Sequence, residues 1–95
     1  MIEIRVRSCG IQMQGHAGCA GSDGIDRVCA AVSALTCALI NGLTDLTGDR
    51  IRAYTDSGTA IVEWENLTDG GKLLVDNWML GMTDINREYN CIIFQ

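Results

Sequence analysis

The sequence predicts an α+β fold, a two-layer sandwich in which two helices cover one face of a five-stranded antiparallel or mixed sheet. The chain has 95 residues, of which 47% are hydrophobic, a size that suits a single domain with one core. Two stretches repeat apolar residues at helical spacing, and five short stretches have the alternating or apolar character of strands. Their order is β-β-α-β-β-α-β, in one domain over residues 1–95.

The first two strands are predicted to form a hairpin. Residues Ile2 to Ser8 alternate apolar and charged side chains, reach a turn at Cys9-Gly10, and alternate again from Ile11 to Gln14. The next segment, Gly15 to Gly24, contains four glycines and no apolar periodicity. It is therefore predicted to be a flexible loop.

The first helix follows this loop. Its apolar face recurs at steps of three and four residues and ends near Asn41-Gly42; the face comprises Ile25, Val28, Val32, Leu35 and Leu39. The weakly charged run from Val28 to Leu43 contains three polar residues and is shorter than the roughly 20 residues that span a bilayer. This run is therefore interpreted as a core helix, and no membrane partner is predicted.

The second half repeats the pattern of hairpin and helix. Strands at Ile51 to Thr55 and Thr59 to Asn66 flank the short connection Asp56-Ser57-Gly58, and Val62 and Trp64 should face the core. A second helix and a final apolar strand follow. The helix is indicated by Leu74, Trp78, Met82, Ile85 and Tyr89, and the strand by Cys91 to Phe94. Both helices carry one apolar stripe, so they can share one face of the sheet.

Charge and cysteine content narrow the partners and the compartment. Twelve acidic and seven basic residues give a net charge of −5, opposite in sign to the surface of a nucleic-acid binder, and favour a basic peptide partner. The odd count of five cysteines argues against a disulfide framework, and the N-terminal segment lacks the apolar run of a secretory signal. The prediction is a cytoplasmic protein with free thiols.

One region combines a general base with a nucleophile. His16 lies in the glycine-rich loop, and Asp26 and Cys29 lie where the first helix begins. Thiols react as thiolates, which a helix N-terminus or an imidazolium stabilises. If Asp26 is the N-cap, Cys29 occupies the first turn; if Asp23 is the cap, Cys29 lies deeper and loses much of that stabilisation. The sequence leaves both caps open.

Ordinary structural roles compete with this interpretation. Free cysteines are commonly buried, loop histidines are commonly solvated, and an aspartate before a helix is commonly a cap. Cys37 and Cys91 are expected to be small core residues. A structural zinc site could use Cys9, His16, Cys19 and Cys29, but only His16 and Cys19 have a spacing typical of zinc ligands. Phosphate binding by the loop is disfavoured because the Lys-Ser/Thr of a P-loop is missing.

The same residues resemble a family motif. Gly15-His16-Ala17, a loop, Gly24-Ile25-Asp26 and Val28-Cys29-Ala30 resemble the signature of the ribosomal-processing cysteine proteases, the Prp family. That signature is G-H, a variable loop, G-x-D, two aliphatic residues, Cys and a small residue. Two positions depart from it. Arg27 stands where the family has an aliphatic residue, and Cys19 stands where members often carry larger or aromatic residues.

The resemblance implies a small dimeric endopeptidase of the bacterial cytoplasm. Its substrate would be the N-terminal extension of a large-subunit ribosomal protein, and no metal or cofactor is implied. Cys29 would be the nucleophile, His16 the general base and Asp26 an orienting or capping residue. Substrate-binding positions would include Ser33, Gly15 and Gly24. The alternatives are a catalytically silent or divergent Prp-like module that binds peptide or associates with the ribosome, and a structural zinc domain.

Overall fold

A computed structural model describes residues 1–95 and confirms the predicted order of elements. The five strands are β1 Ile2–Arg7, β2 Gly10–Gly15, β3 Ile51–Asp56, β4 Thr59–Trp64 and β5 Ile92–Phe94. The two helices are α1 Arg27–Asn41 and α2 Asp69–Tyr89, and a π-helical segment, Gly42–Leu46, extends α1. The fold is α+β, as predicted.

The strands form one mixed sheet in the order β3-β4-β2-β1-β5. All neighbours are antiparallel except β5, which runs parallel to β1 and pairs Ile92 with Ile2. Alternation along the strands makes one face apolar, with Ile4, Ile11 and Val62 buried. The opposite face carries polar side chains: Glu3, Arg5, Gln12, Gln14 and Glu63.

Both helices pack on the apolar face and complete the core. The buried apolar side chains of the helices are Val28, Val32 and Leu39 of α1, Leu43 of the π-helical segment, and Val75, Trp78 and Met82 of α2. Two glycines permit the close approach of the helices. A Cβ on Gly42 would lie 3.1 Å from Leu74 Cδ1, and one on Gly81 would lie 3.0 Å from Leu35 Cδ1.

The apolar face of α1 differs from the prediction at three positions. Ile25 precedes the helix and is exposed, and Leu35 and Cys37 are also exposed. Thr36 is buried instead, because its hydroxyl donates to the Val32 carbonyl at 2.8 Å and accepts from Trp78 Nε1 at 3.2 Å. A polar side chain with both bonds made can occupy the core. In α2, Tyr89 is exposed although the spacing placed it on the apolar face.

The helical segment is longer than predicted. Gly42 has right-handed helical angles, φ −62° and ψ −45°, so it does not end the helix, and the chain continues to Leu46. The resulting segment, Arg27–Leu46, is long and apolar enough to cross a membrane by length and composition, which corrects the prediction that it is too short. Core helices of water-soluble domains meet the same criterion, and this one contributes four side chains to the core described above.

Candidate active site

A cavity of about 360 Å³ lies between α1 and the sheet. It stays open because α1 and α2 do not cover β3: Ala53 and Thr55 share the apolar face with their buried partners Val62 and Ala60, yet both are exposed. Three segments supply most of the cavity lining, and Ile2 of β1 completes it. These are the face of α1 with Cys29, Ser33 and Cys37, the end of β2 with Gly15 and His16, and the β3–β4 turn with Ser57 and Gly58.

Cys29 lies in the first turn of α1, and Asp26 is the N-cap. Asp26 has extended backbone angles, and its Oδ1 accepts from the Cys29 amide at 3.0 Å. Asp23, the other possible cap, instead accepts from the Ile25 amide and pairs with Arg27 at 2.7 Å. Cys29 is therefore at position N3, where the free amides and the helix dipole favour negative charge.

The Asp26 carboxylate also holds the loop. Its second oxygen, Oδ2, accepts from the Cys19 amide at 2.9 Å. The bonds from the Cys29 and Cys19 amides, in that order, hold the pKa of Asp26 below its usual range. The ionised carboxylate thus links the helix terminus to the glycine-rich loop. It makes no hydrogen bond to His16.

The loop brings a backbone amide to the sulfur of Cys29. The Ala17 N–H donates to Cys29 Sγ at 3.2 Å, and Ala17 is buried. Gly15 allows this path because it has φ +109°, and a Cβ there would clash with the carbonyl of Met1. His16 is exposed at the cavity wall, where its imidazole lies against Gly58. No hydrogen bond joins His16 to Cys29.

The structure brings most of the sequence-predicted site residues to one place. Gly15, His16, Cys29 and Ser33 line the same cavity, and Asp26 contacts Cys29 from the helix terminus. Gly24 is the exception: it has φ +78°, no atom lies within 4 Å of a Cβ built on it, and it does not line the cavity. Its role there is conformational, as the motif position with positive φ before the cap.

Sequence reasoning missed two contributors. Ala17 acts through its backbone amide, so no side-chain pattern could identify it. Gly58 was predicted only as part of a hairpin turn, and its contact with His16 depends on β4 lying beside β2. A turn glycine in this position could be assigned to the site only once the strand order was known.

The four other cysteines differ in exposure. Cys9, Cys19 and Cys37 are exposed and Cys91 is buried, and none forms a disulfide. Burial raises the pKa of the Cys91 thiol, and the nearby groups Cys19, Asp26 and Cys29 raise it further. No three His, Cys, Asp or Glu side chains converge so that they could hold a metal ion.

Comparison with known proteins gives the identity of the family. The mixed sheet with two helices suits a small α+β cysteine protease domain, as does the cysteine at a helix N-terminus that shares a cavity with a histidine. The family model described as cysteine protease Prp matches residues 1–93, and the chain belongs to this family.

Solved structures agree with this assignment. The chain is similar to the essential ribosomal processing protease Prp from S. aureus, in complex with a covalently linked product peptide, at 26% identity and a TM-score of 0.84; the match covers 99% of this chain and 95% of that one. It is also similar to SMU.848 from Streptococcus mutans, at 27% identity and a TM-score of 0.72, over 99% of this chain and 93% of that one. No curated protein sequence matches the chain.

Proposed function

We propose that this Prp-family protein is a cytoplasmic cysteine endopeptidase that removes a short N-terminal extension from a large-subunit ribosomal protein. The observation that carries the proposal is the position of Cys29 at N3 of α1, in the cavity that His16 also lines. The S. aureus relative, described as a ribosomal processing protease, was solved with a covalently linked product peptide. The net charge of −5 favours a basic ribosomal substrate.

The proposed reaction uses Cys29 and His16 as a dyad. His16 takes the thiol proton, and the thiolate attacks the scissile carbonyl carbon to form a tetrahedral intermediate. His16 then returns the proton to the leaving amine, and water hydrolyses the thioester to release the acid product. The Ala17 N–H, 3.2 Å from Cys29 Sγ, lies beside the atom that bonds the carbonyl carbon, so it can donate to the oxyanion.

The substrate is proposed to lie along α1 and beside β3. Ser33 is one helical turn after Cys29 and Cys37 a further turn on, and all three line the cavity. The backbone of β3 is an edge with free hydrogen-bonding groups, as an extended peptide requires. The Gly-rich loop, with positive φ at Gly15, Gly18 and Gly24, closes His16 over Cys29 when a peptide is bound.

Cleavage of a synthetic peptide with the sequence of an extended ribosomal N-terminus tests the proposal. Mass-resolved product analysis should show one cut in the wild type and none in Cys29→Ala and His16→Ala. Cys9→Ala is the matched control, because Cys9 is an exposed thiol at the β1–β2 turn and does not line the cavity. Unchanged cleavage in both site variants would reject the dyad.

The second candidate is a catalytically silent peptide-binding module. The missing hydrogen bond between His16 and Cys29 favours it, since an active dyad must bring these side chains together. It predicts saturable binding of the same peptide with no product. It also predicts no preferential alkylation of Cys29 near neutral pH, measured by peptide mapping against the exposed thiols of Cys9 and Cys37.

A homodimer is proposed through the outer face of the helices. Leu73 and Leu80 lie seven residues apart on α2 and are 69% and 64% exposed, and Leu46 is 80% exposed. Residues seven positions apart lie on the same face of a helix, and a patch of exposed apolar side chains is characteristic of a protein interface. Sedimentation should show a dimer that Leu80→Glu converts to monomer, and a wild-type monomer at high concentration would reject the proposal.

A further inference from the structure

The thiols of Cys29 and Cys19 are both hydrogen-bonded to the backbone of Ala17. The Ala17 N–H donates to Cys29 Sγ at 3.2 Å, and Cys19 Sγ donates to the Ala17 carbonyl at 3.6 Å. One amino acid therefore separates the sulfur of the proposed nucleophile from a second sulfur. Cys19 is exposed and Cys29 is partly buried, so the second thiol lies on the solvent side.

The backbones of the two cysteines are tied together as well. The two oxygens of Asp26 accept from the Cys19 amide at 2.9 Å and from the Cys29 amide at 3.0 Å. A single carboxylate thus holds both residues. Cys19 is also flanked by Gly18, which has φ +72° and open space where a Cβ would be, so the segment that carries Cys19 can adjust its backbone.

Each of the other three thiols has a feature that disfavours its reaction with Cys29. Cys37 is eight residues further along the same helix, a rise of about 12 Å, whereas the Cα atoms of a disulfide lie within about 7 Å. Cys91 is only 2% exposed, and burial raises the pKa of its thiol and so disfavours the reactive thiolate. Cys9 lies at the β1–β2 turn, at the opposite end of β2 from the Gly15–Ala17 segment that contacts Cys29.

We propose that Cys19 is the resolving thiol of a reversible disulfide with Cys29, formed when a peroxide oxidises Cys29. The Cys29 thiolate attacks one oxygen of hydrogen peroxide; an S–O bond forms, the O–O bond breaks, and the products are a sulfenic acid and hydroxide. The Cys19 thiolate then attacks the sulfur of the sulfenic acid. The S–S bond forms as the S–O bond breaks, and the sulfenic oxygen leaves as hydroxide. With the two thiol protons, the net products are one disulfide and two waters.

Formation of the disulfide does not depend on the proposed function; only its effect on peptide cleavage rests on that function. While the disulfide is present, Cys29 cannot attack a peptide, and its sulfur cannot be oxidised further to the irreversible sulfinic acid. A thiol reductant would restore the nucleophile. The oxidant class is a peroxide, and the site that it modifies is the Cys19–Cys29 pair.

Thiol mapping after hydrogen peroxide treatment tests the proposal. The wild type should yield a cross-linked peptide that joins Cys19 to Cys29 and disappears after treatment with dithiothreitol. After the same dose, Cys19→Ser should contain sulfinic or sulfonic acid at Cys29, and the Cys37→Ser control should form the Cys19–Cys29 bond like the wild type. A wild type without this bond, or with Cys29 joined to another cysteine, would overturn the proposal.

Peptide cleavage provides a second measurement, with each variant compared with its own untreated sample. Dithiothreitol should restore the cleavage rate of the oxidised wild type, and the recovered fraction should be at least about fivefold lower in Cys19→Ser, because overoxidation is irreversible. Equal recovery in both would contradict the protective role. If the protein cleaves no peptide, the mapping still decides whether the disulfide forms, so failure of the proposed function and failure of this inference are distinguishable.

Discussion

The N-termini of α1 and α2 are capped in the same way but have different surroundings. In α1, Asp26 accepts from the amide of Cys29 at 3.0 Å. In α2, Thr68 accepts from the amide of Gly71 at 3.1 Å. The capped residue is N3 in both helices, but in α1 it carries a thiol that lines a cavity, and in α2 it is a buried glycine.

A second carboxylate closes the terminus of α2. Asp49 accepts from the Thr68 amide at 2.8 Å and from the Thr68 hydroxyl at 2.9 Å, and its Oδ2 lies where a Gly71 Cβ would be. No such group covers the terminus of α1, where the second oxygen of Asp26 holds a loop amide. The capping physics is the same, so the proposed difference in function depends on the residue at N3 and on access to it.

Removal of the two caps should give the largest difference between the termini, because one loss should lower cleavage and the other should lower stability. Asp26→Ala frees both the Cys29 and the Cys19 amides, and displacement of a reacting group by about 1 Å lowers rates on the order of 100-fold. We therefore expect a fall in peptide cleavage of about 10- to 100-fold. Thr68→Ala should lower the free energy of unfolding by about 1 kcal/mol, a typical cost of losing a cap, with cleavage unchanged.

Cleavage assays and urea unfolding of both variants check this prediction. Asp26→Asn is the conservative variant, because it keeps an oxygen that can accept from the Cys29 amide while removing the charge. It should recover part of the activity lost in Asp26→Ala. Equal effects of Asp26→Ala and Thr68→Ala on cleavage would show that the two termini do not differ in function.

Much of this difference could be predicted from the sequence. His16, Asp26 and Cys29 could be grouped because they lie within one loop and one helical turn, where local spacing determines geometry. The choice between Asp23 and Asp26 as the cap could not be made, since both aspartates lie shortly before the apolar positions of the helix. It depends on the Asp23–Arg27 ion pair and on the Cys19 amide.

Contacts between distant segments could not be predicted. The parallel pairing of β5 with β1 joins the two ends of the chain, and local alternation carries no information about neighbouring strands. Thr36 was missed because apolar periodicity does not register a polar residue whose hydrogen bonds are satisfied by Val32 and Trp78. Cys37 was predicted to lie in the core because free cysteines are commonly buried, but it lines the open cavity.

A methyl group at the closed terminus should have the next largest effect. In Gly71→Ala the new Cβ meets Oδ2 of Asp49, and overpacking of this kind costs about 1–3 kcal/mol. We expect that loss in the free energy of unfolding by urea titration. Gly70→Ala is the matched control: its Cβ would meet only the side chains of Thr47, at 3.2 Å, and Thr68, at 3.9 Å. A Gly71→Ala variant as stable as Gly70→Ala would contradict the closed packing.

A corresponding test of the N-terminus of α1, which is open to the cavity, uses Gly58. A Cβ on this residue would lie 2.7 Å from His16 Nε2, so Gly58→Ala should displace the imidazole and lower kcat/KM about tenfold, a part of what a general base contributes. Gly48→Ala is the control, because Gly48 also has positive φ, +65°, but has no atom within 4 Å of its Cβ. Both variants should lose about 1–2 kcal/mol of stability from backbone strain.

Only Gly58→Ala should lose activity beyond this strain, as measured by steady-state cleavage at a temperature where both variants are folded. A chemical-shift change of the His16 ring in the Gly58→Ala spectrum would report the displacement directly. Equal activity of the two variants would show that the contact between Gly58 and His16 does not position the base.

Acid should weaken the hydrogen bonds at the N-termini of both helices and lower the free energy of unfolding. This is the smallest effect expected. Hydrogen bonds hold the pKa values of Asp26 and Asp49 below their usual value, Asp26 chiefly through the Cys29 amide and Asp49 chiefly through the Thr47 hydroxyl. Each folded-state pKa is lower than the pKa of the unfolded chain, which is about 3.9 for aspartate. The ionised carboxylates therefore stabilise the fold at pH values above this pKa. That stabilisation is lost as the pH falls through the folded-state values.

Asp49→Asn isolates the contribution of the closed terminus. Urea unfolding at about pH 7 and about pH 3 should show a smaller loss of stability on acidification than in the wild type. The variant lacks the Asp49 carboxylate, whose protonation is coupled to unfolding. Asp45→Asn, which removes an exposed carboxylate that makes no hydrogen bond, controls for the change in net charge. Peptide binding by Asp49→Asn at neutral pH should match the wild type, since Asp49 does not line the cavity. Weaker binding would mean that the closed terminus also affects the open one.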